Sequence, residues 1–168
     1  PGAQTVDEDT NLVISGLSVA DVDSATDEIS VTLSCNNGTI TIVAGVTNGV
    51  ATGQISNNNT ASVTLTAPLS NINNTLADAN GVTYLPNNNE NGAETLTMTT
   101  SDQGNTGAGG TLTDTDTVSI TINALNDAPI NTIPGTQATN ANTDLVLTGI
   151  SIADVDIGNS TLIMNLSC

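Results

Sequence analysis

The chain has 168 residues, 17 of them acidic, and no Lys, Arg or His, so its net charge is −17. Nothing in it can neutralise phosphates, which excludes nucleic acid as a partner and disfavours an anionic membrane surface. Every carboxylate must be solvated, bonded to backbone N–H, or neutralised from outside; hard oxygen donors with no cation of their own invite Ca2+, although uniform negative charge also serves solubility alone.

The apolar residues, 37% of the chain, are almost all Val, Ile, Leu and Ala, and Tyr84 is the one aromatic. Together with Thr they form the β-branched set that suits a pleated surface. A chain of this length can bury an ordinary core. No apolar run approaches the ~20 residues of a membrane span, so direct membrane insertion is not expected.

Between Thr10 and Val19 the apolar pattern is broken, with Gly16 in its middle, as in a first strand that bends or changes sheets. Ala20-Asp21-Val22-Asp23-Ser24 then leaves as an acidic loop. Ile29, Val31, Leu33 and Cys35 alternate, which predicts a half-buried strand. Asn36-Asn37-Gly38 reads as a type I′ hairpin turn into a returning strand over Thr39 to Ala44. Asn48-Gly49 marks another turn, and the asparagines after Ser56 form a loop. Ala61 to Ala67 is a predicted strand with Val63 and Leu65 inward.

Leu69, Ile72 and Leu76 fall at spacings of three and four, predicting one short helix laid across an end of the sheet. After Asn80-Gly81, strands are predicted at Val82 to Leu85, at Glu94 to Thr100, and at Thr113 to Leu125. Their inward residues are Leu96 and Met98, then Val118, Ile120 and Ile122. Ser101 to Gly110 reads as a flexible glycine-rich loop. Short strands punctuated by turns, with no long helix, argue an all-β sandwich.

Pro134 to Cys168 repeats Pro1 to Cys35 without a gap, with fifteen of the 35 aligned positions identical. A period that long is a domain-sized unit rather than a solenoid turn. The expected organisation is a complete repeat over 1–125, a linker over 126–133, and the first strands of the next repeat over 134–168.

The motifs Val6-Asp7-Glu8-Asp9-Thr10, Ala20-Asp21-Val22-Asp23, Val82-Thr83-Tyr84-Leu85-Pro86, Thr100-Ser101-Asp102-Gln103-Gly104, Thr113-Asp114-Thr115-Asp116-Thr117-Val118 and Asn126-Asp127-Ala128-Pro129 occur in that order. Taken together they resemble the cadherin-like repeats of very large bacterial surface proteins, including secreted adhesins. The resemblance implies a seven-stranded Greek-key cadherin/immunoglobulin-like β-sandwich, chained end to end in an extracellular setting, with Ca2+ at the joints. It implies ligands at one joint from Asn126 and Asp127 of the linker, Asp154 and Asp156 of the following repeat, and Glu8 at the far end of the first. Asp21, Asp23 and Asp102 would face the preceding joint. The Arg-containing motif of cadherin joints is absent, and Asp7-Glu8-Asp9 becomes Asn140-Ala141-Asn142 in the second copy, so one ion per joint is the safer expectation. Each aspartate also has an ordinary reading as a turn or cap residue without metal. Asp114 and Asp116 are expected to be solvated.

The function implied is a structural repeat: a calcium-rigidified stalk or filament of a surface adhesin or fibre protein. Its partners would be neighbouring repeats of the same chain and identical chains in a fibre. The alternative is a carbohydrate- or surface-binding adhesive module, against which a single aromatic residue weighs. No enzyme is expected, because no nucleophile has a base beside it and no carboxylate pair has a supporting motif. Cys35 and Cys168 hold the same repeat position and would lie a domain length apart, beyond the ~7 Å Cα limit for a bond within one chain. A buried thiol or an interchain bond in a fibre remain as readings.

Overall fold

The computed structural model describes every residue except Ala25, Thr106, Gly107 and Cys168. It divides into two compact units, Pro1–Ala124 and Leu125–Cys168. The first is built from β-strands, and the second contains two short ones.

The first unit runs β1 (Gln4–Asp7), β2 (Leu12–Val13), β3 (Glu28–Ser34), β4 (Gly38–Ile42), a 3-10 turn (Thr52–Gln54), β5 (Ile55–Ser56) and β6 (Ser62–Pro68). Helix α1 (Leu69–Leu76), β7 (Val82–Pro86), β8 (Gly92–Ser101) and β9 (Thr113–Asn123) follow. One sheet has the order β1-β9-β8-β3-β6-β5 and the other β2-β7-β4. Pairing is antiparallel except that β1 runs parallel to β9. The inward residues of both sheets share one core, with Ile29, Val31, Leu33, Leu65 and Ile120 from the larger sheet meeting Ile40, Ile42, Val82 and Tyr84 from the smaller. This all-β arrangement is consistent with a β-sandwich. Nine strands are described in the unit rather than seven, partly because the first strand is split between the sheets.

That split comes earlier than the break around Gly16 suggests. The chain leaves the larger sheet after Asp7 and joins the smaller at Leu12, turning through Asp9 at φ 56°. Ile14 is already buried against the smaller sheet, its N–H donating to the Val82 carbonyl at 3.0 Å.

The expected hairpin at Asn36-Asn37-Gly38 is corrected. Both edges of β3 are taken, by β6 and by β8, so β4 cannot return alongside it and crosses to the other sheet to pair with β7. None of the three residues has the positive φ that a type I′ turn demands. Gly38 is needed for a different reason: a Cβ there would sit 2.4 Å from the Tyr84 ring.

Helix α1 forms where expected. Its apolar stripe buries Ile72 and Leu76 against β6 and β3, and Leu69 packs at the core's edge. Thr75 on the same face accepts the buried Val50 N–H at 2.8 Å, so the helix also satisfies a loop amide. At Gly81 a Cβ would lie 1.8 Å from the Thr75 carbonyl oxygen, and only glycine fits.

In the second unit β10 (Ile130–Thr132) pairs antiparallel with β11 (Ser151–Ala153). Part of the expected linker over 126–133 is a strand, Ile130–Thr132, because Ser151–Ala153 supplies a partner. The repeated backbone is visible in its turns. Asp9 and Asn142 have φ of 56° and 60°, and Gly16 and Gly149 share a φ of 79°.

Candidate functional site: two acidic loops

The motif Ala-Asp-Val-Asp occurs once in each unit and folds the same way in both. In the first, an Asp21 Oδ1 accepts the N–H of Asp23 at 2.8 Å and of Ser24 at 3.0 Å. In the second, Asp154 Oδ1 accepts the N–H of Asp156 at 2.9 Å. A short carboxylate that bonds the amide two residues on makes an Asx turn, which is the ordinary reason for Asp at a turn. The bond also fixes where the second carboxylate of each pair starts.

In the first unit these loop residues meet Asp102. Asp21, Asp23, Asp102 and Asp114, with Val22 and Leu112, line a hollow of about 460 Å³. Asp102 Oδ1 accepts the N–H of Gly104 and of Leu112, both at 2.8 Å. Those bonds, Gly104 first, favour the charged form and hold the carboxyl below the usual Asp range. Although the glycine-rich stretch reads as flexible, Gln103 and Asn105 also donate from their side chains to the Glu28 carbonyl. Asp114, expected to be solvated, is exposed and also lines the hollow. It reaches the hollow because the β8–β9 register pairs it with Thr100, two residues before Asp102, and no pattern in one strand reveals that register.

Glu8 is elsewhere. Its N–H donates to the Asn123 carbonyl at 3.0 Å, at the opposite end of β9 from the hollow, and the residue is buried. At about 3.4 Å per residue along β9 that separation is roughly 30 Å. The candidates of the first unit thus occupy its two ends.

In the second unit the β10–β11 register, Ile130 opposite Ala153, brings the linker alongside the acidic loop. Asp127 N–H donates to Asp156 Oδ2 at 2.5 Å. The Asn126 side chain donates to the Asp127 carbonyl at 3.2 Å. Asn126, Asp127, Asp154 and Asp156 are therefore neighbours.

The donor set is all oxygen and anionic, the chemistry Ca2+ selects. Its geometry is that of carboxylates turned to backbone amides: among the described residues no group of three or more Asp, Glu, Cys or His side chains is gathered as a metal shell. Each bond described for Asp154 and Asp156 uses one oxygen of its carboxylate.

Sequence reasoning missed Glu94, which is buried under the β3–β4 crossing. Its Oε2 accepts the N–H of Asn36 at 3.1 Å and of Asn37 at 2.5 Å, and Oε1 accepts the Thr95 N–H at 2.6 Å. Beside it the Tyr84 hydroxyl donates to the Asn37 carbonyl at 2.8 Å. The available signal was parity, since Glu94 sits in step with the inward Leu96 and Met98. Cys35 is a buried free thiol, pushed up to about 11 by burial and then by the Glu94 charge. The same two causes, in that order, push the Tyr84 hydroxyl far above its usual value. Cys168 and its expected role lie outside the described residues. Among the described residues no helix is long and apolar enough to cross a membrane.

Comparison of the chain with protein-family models, with curated proteins and with solved structures found no match.

Proposed function

We propose that the chain is a structural tandem repeat of an extracellular stalk or filament, of the cadherin-like Greek-key kind, rigidified by Ca2+ where one repeat follows another. The observation that carries this reading is the meeting of linker and loop: the Asp127 amide bonds Asp156, whose own amide bonds Asp154, in a chain without a single cationic side chain. Like charges on residues so linked, with no cation to offset them, repel. A divalent cation replaces the repulsion with attraction shared by the linker and the repeat after it, so binding and stiffening are one event. Asp127, Asp154 and Asp156 would hold the ion, with Asn126 beside them, after their carboxylates turn from backbone amides toward it. For a site of ~10⁻⁴ M, in the range of extracellular modules, tenfold excess calcium contributes about 1.4 kcal/mol. That biases a hinge without folding a domain.

A carbohydrate-binding module is the weaker reading. Its sites favour aromatic platforms, and the one aromatic side chain, Tyr84, is fully buried. Small-angle scattering of the chain with Ca2+ and with chelator tests the spacer. The maximum dimension should increase with Ca2+, and Asp127→Ala with Asp154→Ala should remove the response. An unchanged dimension, or a response that survives both substitutions, would refute it.

A further inference from the structure

We infer that the outer face of the larger sheet in the first unit is a contact surface for a second copy of this chain, met by the same face of that copy. The inference rests on the reading of the chain as a tandem repeat of a filament, and it names where identical chains lie side by side. Across β6, β3, β8 and β9 the registers set Thr64, Thr32, Thr99 and Thr115 in one row. The row on one side runs from Thr66 to Thr113, the row on the other from Ser62 to Thr117, and every position in both is Ser or Thr. On β3, β6 and β8 these residues alternate with the buried core residues, so they point away from the core. Thr32 and Thr64 already share a hydrogen bond between hydroxyls at 2.9 Å, and Thr99 and Thr115 another at 3.2 Å.

Charge decides what can meet this face. The three rows hold no carboxylate, and Glu28, opposite Pro68, stands just beyond them. A contact through the ends of two copies would set carboxylates against carboxylates, with no Lys, Arg or His to offset them. The uniformity is not imposed by composition, because the smaller sheet mixes Val13 and Leu85, 39% and 37% exposed, among its outward threonines. A hydroxyl both donates and accepts, so an identical face is a matched partner in a two-fold pair. Stacked sheets lie about 10 Å apart with their strands inclined by about 30°, a separation that the short side chains favour. At about 4.8 Å between strands and about 3.4 Å per residue, the three rows cover roughly 400 Å² on each copy. That is half the ~800 Å² per partner of a stable pair. One unit therefore pairs weakly, and tandem units laid side by side strengthen the contact through effective concentration.

The full chain with Cys35→Ser and Cys168→Ser provides the test, in chelator so that the outcome is separate from that of the calcium experiment. One version carries Thr99→Cys in the central row, and the other Thr83→Cys on the outer face of the smaller sheet; both positions are half-buried. A bis-maleimide spanning ~10 Å is added at ~10 µM and at ~1 mM protein. At the higher concentration linked dimers of the Thr99→Cys chain should exceed those of the Thr83→Cys chain roughly tenfold, and at the lower the two should be alike. Adding Thr115→Asp beside Thr99→Cys should remove the excess, whereas adding Thr41→Asp, which puts the same charge on the smaller sheet, should not. A clear excess from Thr99→Cys supports the contact even if Thr115→Asp fails to fold. Equal yields from the two cysteines at both concentrations, or an excess that survives Thr115→Asp in a folded chain, overturn the second copy as the occupant.

Discussion

Leu33 and Leu166 stand at the same place in a repeated sequence, inside the same Leu-Ser-Cys tripeptide, yet one is sealed in a core and the other faces water. The same holds for Ile14 and Leu147. Patterning assigns a side chain to a face. Burial needs the opposite layer, and in the first unit that layer comes from strands up to 116 positions away, as when Gln4 pairs with Ile120. What the two units do share is local: the Asx turn in the acidic loop and the left-handed turn residues need no distant partner. Short-range structure forms without an opposite layer; side-chain burial needs one.

The largest expected effect contrasts equivalent leucines. Leu33→Ala should cost about 2–5 kcal/mol in urea unfolding of the chain, from lost transfer free energy and the cavity left behind. Leu166→Ala should stay within about 0.5 kcal/mol, as surface substitutions do. Equal costs would show that the second unit is covered in solution.

Next comes the crossing from β3 to β4 in the first unit. Glu94→Leu leaves the amides of Asn36 and Asn37 without their acceptor and should cost about 1–3 kcal/mol. Glu94→Gln should recover part of that, since its oxygen can still accept one of the bonds. Full recovery by Leu would mean that the amides find water instead.

Cys35 gives a smaller, pH-dependent effect. Its folded pKa of about 11 exceeds the ordinary 9.0. The folded state therefore binds the proton more tightly, and its contribution is complete below pH 9 and lost as pH rises toward 11. Unfolding midpoints between these values should fall more steeply than in Cys35→Ser, and a bulky thiol reagent should label Cys35 in a Cys168→Ser chain slowly until denaturant is added. Parallel slopes in the two proteins would contradict the burial.

The smallest concerns Asp102. Its pKa is lowered from 3.8, so its bonds are fully present above that value and are lost as pH falls through the lower folded pKa. The amide resonances of Gly104 and Leu112 should titrate together in that acidic window. Independent titration of Gly104 and Leu112 would separate bonds that share one oxygen.

The alternation in β3, β6 and β9 was legible because each buries one face, and period two survives any choice of neighbour. Leu69, Ile72 and Leu76 gave the helix for a similar reason. Asn36-Asn37-Gly38 misled because a turn motif describes the chain at the turn, whereas the sheet joined next depends on which edges of β3 are free. Glu94 was hidden by its charge: an acidic residue with inward parity looks like a strand boundary until three amides are found around it. Asp114's place beside the hollow required a strand register that one sequence does not contain.

The parallel pairing of β1 with β9 has a mechanical consequence. Four positions, from Gln4 opposite Ile120 to Asp7 opposite Asn123, join the beginning and the end of the first unit side by side. Tension applied to the chain on either side of the unit pulls β1 and β9 in opposite directions along their common axis. The ladder is then loaded in shear, and its bonds share the force instead of opening one at a time as a hairpin peeled from its end would. Resistance of this kind is set by the rate of unfolding under load rather than by equilibrium stability. The unit's weakest direction is consequently not the one in which a tethered chain is stretched.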